Sequence, residues 1–334
     1  MSRVHVIRPG MLTTVQDLGR PGWQCHGVTP GGALDSTAMR LANLLVGNPE
    51  GAAGLEITLV GPVLRFAEPA LIAVCGADFE VTCGGAPVPP WRPVRLAGGS
   101  ELSFGAARSG SRIYLAVAGG IAVPRVLGGR GTHLAAGFGG FEGRPLQPAD
   151  ILKIGPPSPW ARRFGGGPLF AGGIIPARWE ISGGARPSYS REPSVRVVRG
   201  PQWDWFPEDV RARFLGEACT VAPQSDRMGL RLNPPVTPLA LGPAREMISE
   251  GVTAGAVQVP PDGRPIVMLA DRQTIGGYPK IAVVASVDLP LLAQLCPGDR
   301  LAFREVPLAE AQEQRIADER QFATLKQGIA LHSS

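Results

Sequence analysis

The chain has 334 residues, 44% hydrophobic and 18% charged, which is enough for one large domain or two ordinary ones with real cores and excludes a small disulfide-stapled scaffold. Glycine (45) and proline (34) together reach about twice their average usage and are spread between apolar runs, so long helices cannot dominate and a mainly β protein with many turns is expected. The net charge of +5 rests almost wholly on arginine, with Lys153, Lys280 and Lys326 the only lysines and no basic block or basic–aromatic stripe, which argues against nucleic acid as a partner.

No run approaches the roughly 18 apolar residues of a membrane helix, and the first 16 residues lack a signal layout, so no membrane partner and a cytoplasmic location are expected. Cys25, Cys75, Cys83, Cys219 and Cys296 form no C-x-x-C pair and are odd in number, as for free thiols in a reducing compartment. No metal site is expected from them.

In chain order, Asp35 or Ser36 caps a helix that carries Ala38, Leu41, Ala42 and Leu45 on one face and stops at Gly47. Three segments then share one pattern of leucine, turn and alternating apolar residues: Leu96 to Phe104, Leu146 to Ile154 and Leu295 to Phe303. Ser100, Asp150 and Asp299 are equivalent in them. The strands Arg112 to Val117 and Lys280 to Ala285 precede two of the copies, and a duplication follows. The first copy carries a glycine-rich insertion, Gly128 to Gly143, long enough to be a candidate site.

Gly155 to Pro193 has no sustained period and reads as a linker, which places a first domain at 1–193, a second at 194–306 and a tail at 307–334. Pro207 opens a short helix, Asp288 is placed to cap Leu289 to Cys296, and the charged tail from Pro307 to about Gly328 is expected to be the longest helix, on the surface.

There is no G-x-x-x-x-G-K-[ST], no H-E-x-x-H and no G-x-S-x-G, and His5, His26, His133 and His332 are scattered. Chemistry is therefore left to charged and amide side chains concentrated in turns: Asp17 and Arg20, Asp226 and Arg227, Glu246 and Glu250, and Asp271, Arg272, Gln273, Tyr278 and Lys280. Each has a plain alternative. Asp17 and Arg20 could fasten a turn, Asp226 and Arg227 could be a cap or surface pair, Glu246 and Glu250 could share a solvated helix face, and Asp271 and Arg272 could pair internally. The stretch Ile266 to Lys280 points most sharply to function, because an apolar strand runs into Asp-Arg-Gln-Thr and then Gly276-Gly277. In the insertion, Arg144 could hold an anion where glycines let backbone approach a ligand.

Thr13 to Arg20, Gly32 to Asp35 with Arg40 to Asn43, Gly137 to Leu146, Ser225 to Gly229, Glu246 to Val252 and Asp271 to Ile281 resemble the biotin-dependent carboxyltransferase-like family, in order and over nearly the whole chain. That family includes the C subunits of 5-oxoprolinases, the second subunit of allophanate hydrolase and an antagonist of a sporulation kinase inhibitor. The resemblance implies two cyclophilin-like β-barrel domains with a few short helices. It also implies a sister B subunit of related fold and, in 5-oxoprolinase, a separate A subunit. Many relatives carry Ser-Gly-Ala where this chain has Gly31-Gly32-Ala33, a serine at Gly131 and a threonine at Ile275.

The leading expectation from the resemblance is the C subunit of an ATP-dependent 5-oxoprolinase, which opens the lactam of 5-oxoproline to glutamate, with ATP and Mg²⁺ shared with partner subunits. On that reading Arg144, Arg227 and Arg272 clamp anions, Asp271 and Glu250 act as acid, base or Mg²⁺ partners, and Lys280 lies near phosphate. Gln273, Thr274, Tyr278, Gly139 and Gly140 complete the substrate contacts. The alternatives are carboxyl transfer from carboxybiotin to a urea-like amide, with biotin on another chain, and a non-catalytic antagonist of a kinase inhibitor.

Overall fold

In a computed structural model, residues 2–164, 173–235, 237–240 and 247–332 are described. The chain is mainly β and divides into two compact units: Met1–Arg20, Gly31–Pro187 and Gln321–Ser334 form the first, Pro21–Pro30 and Ser188–Arg320 the second.

The first unit is a ten-stranded sheet built on two long antiparallel strands, Ala70–Cys83 and Glu101–Val117. The predicted strand at 112–117 is the end of this longer element, which is bent where its register with Ala70–Cys83 shifts around Gly76, Asp78 and Phe79. Gly76 has φ 116°, and a Cβ there would lie 2.6 Å from the Arg112 carbonyl oxygen, so the bend needs glycine. Val6, Ile57, Leu64, Phe66, Phe104 and Leu115 fill the core beneath the sheet. Part of the segment read as a linker is built into this unit, since Ile174–Pro176 pairs with Pro93–Leu96.

The helix Ser36–Leu45 starts as expected, with the Asp35 carboxylate accepting from the Ala38 N–H at 2.9 Å. Its start is pinned by a buried network. The Tyr114 hydroxyl donates to Glu56 Oε2 at 2.8 Å and accepts from the Asp35 N–H, while the Leu34 N–H donates to the same carboxylate oxygen.

In the second unit seven strands close into a barrel in the order Ser194–Arg199, Lys280–Val284, Ala256–Gln258, Ile266–Met268, Gly229–Asn233, Cys219–Val221 and Arg300–Glu305. The last pairs parallel with the first, and the other pairs are antiparallel. Val197, Phe206, Phe214, Val257, Val267 and Phe303 are buried in it, with the rings of Phe214 and Phe303 stacked at 4.5 Å.

The repeated turn is real in all three copies. The N–H of Ser100, Asp150 and Asp299 donates to the carbonyl three residues earlier, at 3.3, 3.3 and 3.0 Å, and a strand begins at the next residue each time. In the two aspartate copies the carboxylate also takes the N–H of Gln147 (2.7 Å) or Cys296 (2.9 Å), so the shared turn extends to the side chain.

The short helix after Pro207 spans Glu208–Gly216. The helix after Asp288 is only Leu289–Leu292, and Asp288 does not cap it: its carboxylate takes the Arg196 N–H at 2.7 Å and the Arg196 guanidinium, a charged partner that outweighs a lone backbone N–H. The longest helix is Leu308–Leu331, exposed along most of its length. Within the first unit its Phe322 lies under the Arg40 guanidinium at 3.7 Å and its Lys326 pairs with Glu50 at 3.0 Å.

Candidate functional site

The glycine-rich insertion sits over a buried polar knot in the first unit. Asp17 is its centre: Oδ1 accepts from the N–H of Gly19 at 2.8 Å and Gly131 at 3.0 Å, and Oδ2 from Arg130 at 2.6 Å. Arg20, almost wholly buried, donates to the Gly131 carbonyl and stands 4.8 Å from the centre of the Phe138 ring. The pair Asp17 and Arg20 thus fastens loop backbone to strand end, as its plain reading had it.

Gly139 and Gly140 close against this knot. Both have positive φ, and a Cβ would lie 2.3 Å from the Gly131 carbonyl oxygen at Gly139 and 1.8 Å from Thr132 Oγ1 at Gly140. Their glycine character is set by this backbone contact. A Cβ at Gly131 would stand 2.6 Å from Gln16 Oε1, so the knot closes tightly over this position. Outside the knot the loop borders a mostly apolar groove of about 410 Å³ with Val123, Val126, Phe138, Phe141 and Lys153.

Arg144, read as an anion clamp, is held in a fork: its Nη1 and Nη2 meet Asp150 at 2.8 and 2.9 Å, and Nη2 meets Glu142 at 2.8 Å. The Arg144 hydrogen bonds, followed by the Gln147 N–H, hold the Asp150 carboxyl below its ordinary pKa. A lowered carboxyl pKa adds stability at neutral pH, and that stability is lost as pH falls through the folded value. Arg144→Met is therefore expected to cost about 1 kcal/mol at pH 7, with the gap to the wild type closing below about pH 4. Chemical denaturation at pH 7 and pH 3 reads both numbers. An equal gap at the two pH values contradicts the assignment.

The second unit gathers most of the other candidates. Asp271 pairs with Arg227, not with its neighbour Arg272: Arg227 Nε lies 2.8 Å from Oδ2 and Nη2 3.1 Å from Oδ1, with both side chains about 7% exposed. Arg272 is as deeply buried and is held by two carbonyls, Val252 at 3.1 Å from Nε and Leu269 at 3.1 Å from Nη1. No carboxylate pairs with it among the described residues, and burial lowers its pKa.

Glu250 is in the two-residue strand Glu250–Gly251 and not in a helix; Glu246 lies outside the described residues. Lys280 Nζ bonds to Glu250 Oε1, Gln202 Nε2 donates to the same oxygen at 2.8 Å, and the Lys280 N–H donates to Gln202 Oε1 at 3.0 Å. Lys280 and then Gln202 hold the Glu250 carboxyl below its usual range. Asp226 caps its own turn, accepting from the N–H of Met228 at 2.8 Å and Gly229 at 3.1 Å.

Beside these pairs the barrel opens into a cleft of about 720 Å³ bordered by Asp226, Arg231, Gln258, Arg264, Gln273 and Tyr278. Tyr278 is 45% exposed. Thr274 joins the neighbouring backbone through its carbonyl, which accepts from the Val252 N–H. Gln258 is the residue that sequence reading passed over. It is 1% exposed and sits in a run, Ala256 to Val259, that is otherwise apolar, and that single polar intrusion was the available signal. Among the described residues no three His, Cys, Asp or Glu side chains gather to hold a metal ion, and no helix is long and apolar enough to cross a membrane.

Residues 26–305 match the family model for the carboxyltransferase domain, subdomain A and B. The chain belongs to that family. Among members of this carboxyltransferase-domain family, it is 38% identical over 323 residues to the C subunit of 5-oxoprolinase from Escherichia coli, covering 96% of this chain and 97% of that one. It is 36% identical over 306 residues to the C subunit of 5-oxoprolinase from Haemophilus influenzae, covering 92% of each. The crystal structure of the Kluyveromyces lactis urea amidolyase superposes with a TM-score of 0.83 at 31% identity, over 95% of this chain but only 19% of that protein.

Proposed function

We propose that this chain is the C subunit of an ATP-dependent 5-oxoprolinase complex, which converts 5-oxoproline to L-glutamate with ATP hydrolysis, and that the cleft of its second unit receives the lactam. The observation that carries the reading is end-to-end likeness: this chain matches 97% and 92% of two 5-oxoprolinase C subunits. A urea amidolyase is matched over 18% of its length.

On this reading the ring C–N bond breaks, water supplies the new carboxyl oxygen and the ring nitrogen leaves as the α-amine. Tyr278 and Gln273 hydrogen-bond the lactam at the mouth of the cleft. The Asp271–Arg227 pair holds the loop carrying them, and Arg272, a buried cation without a carboxylate partner among the described residues, supplies positive potential for the substrate carboxylate. ATP and Mg²⁺ are shared with the A and B subunits of the assembled complex, and no nucleotide step is assigned to these side chains. The two units are read as cyclophilin-like barrels and the complex as cytoplasmic.

The likeness to urea amidolyase supports a second reading, carboxyl transfer from carboxybiotin to a urea-like amide in the same cleft. Substrate choice by the complex separates the two. Turnover of 5-oxoproline without carboxylation of urea is expected; carboxylation of urea by a biotinylated partner, with 5-oxoproline untouched, would reverse the order.

A further inference from the structure

Gln258 is almost completely buried on the strand Ala256–Gln258, with its Oε1 accepting from Gln273 Nε2 at 3.2 Å. Its Nε2 is buried and, among the described residues, has no hydrogen-bond partner. A buried amide donor left unmade costs about 1–3 kcal/mol, and folded proteins rarely retain one without a use. An apolar residue of similar shape would fill the position without that cost.

The neighbouring backbone is cut away at this atom. Gly276, in the strand Ile275–Gly276, lacks the positive φ that would itself require glycine. A Cβ there would stand 2.7 Å from Gln258 Nε2, 3.2 Å from Val252 Cγ2 and 3.4 Å from Gln273 Nε2. Two amide NH₂ groups therefore border one small space that exists because residue 276 has no side chain, and Gln258 and Gln273 both line the cleft. Paired neutral donors suit an uncharged carbonyl oxygen, whose partial charge rises when the carbonyl carbon is attacked.

We infer that Gln258, with Gln273, binds the carbonyl oxygen of a cyclic amide substrate in this cleft, and that Gly276 keeps the space for it. The inference rests on the 5-oxoprolinase reading and names the residues that recognise the scissile carbonyl.

The test compares the assembled complex carrying wild-type chain, Gln258→Met, Gln258→Glu or Gly276→Ala. Relative to wild type, kcat/KM for 5-oxoproline is expected to fall about 10- to 100-fold in each variant, as for a lost hydrogen bond from a buried donor. Complex assembly and thermal stability should hold in Gln258→Met, since the substitution removes an unsatisfied group; a purely structural glutamine would instead lose stability and keep its turnover. Gln258→Glu retains an acceptor for Gln273 but no donor, so wild-type kcat/KM in that variant overturns the donor role. If the wild-type complex releases glutamate and Gln258→Met stays within about twofold of it, less than one hydrogen bond is worth, the inference falls and the 5-oxoprolinase reading stands. A wild-type complex that releases none removes the reading and the inference together.

Discussion

Asp271→Ala is expected to destabilise the second unit by about 3–5 kcal/mol, because it removes a carboxylate that the buried Arg227 guanidinium engages through two hydrogen bonds. The geometry sets this scale: two bonds of 2.8 and 3.1 Å join side chains that are each about 7% exposed, so water cannot take over the role of the lost carboxylate. Much of the loss is the penalty of taking this carboxylate from a buried cation and not the net worth of the pair. Arg227→Met combined with Asp271→Leu should therefore recover most of it, since both charges of the pair are then replaced by apolar groups. Urea-induced unfolding followed by tryptophan fluorescence reads both variants. A midpoint for Asp271→Ala equal to that of the wild type would contradict a buried, fully engaged pair.

The second large effect is expected at Asp17. Its carboxylate serves three backbone N–H groups, of Gly19, Arg130 and Gly131, and is 6% exposed. Asp17→Ala strands all three, one buried and two partly buried, and at about 1 kcal/mol for each N–H left unpaired, a loss of up to about 3 kcal/mol follows. Asp17→Asn keeps one oxygen and should lose about half as much. The loss is local before it is global: the Gly139 and Gly140 turn packs on Gly131 and Thr132, so amide hydrogen exchange at Arg130, Gly131 and Gly140 should accelerate ahead of the sheet. Unchanged exchange there would show that the loop is held by something other than this carboxylate.

The parts of the molecule legible in the sequence are those governed by local chemistry. The Asp35 cap, the turns ending at Ser100, Asp150 and Asp299, and the exposed terminal helix depend on residues a few positions apart, and the pattern of polar and apolar residues reports them directly. Asp288 shows the limit. It stands where a cap belongs, yet Arg196, 92 residues away in sequence, takes its carboxylate.

The candidate site follows the same division. The charged residues around Asp271 stand out in the sequence, but which arginine Asp271 meets is decided by the barrel, which brings Arg227 and not Arg272 to it. Arg144 in the same way is visible as a charge, while its engagement by Asp150 and Glu142 depends on how the loop folds back. Gln258 stays hidden because a single amide in a buried strand looks like ordinary sheet until its missing partner and the space at Gly276 are seen together.

The most direct test of the account is glutamate release from 5-oxoproline, with and without ATP, by the complex purified from its own cells through a tag on this chain. The account predicts release that depends on ATP and is lost when this chain is left out of the reconstituted complex. An intact, partner-bound complex that releases no glutamate with ATP present would contradict it.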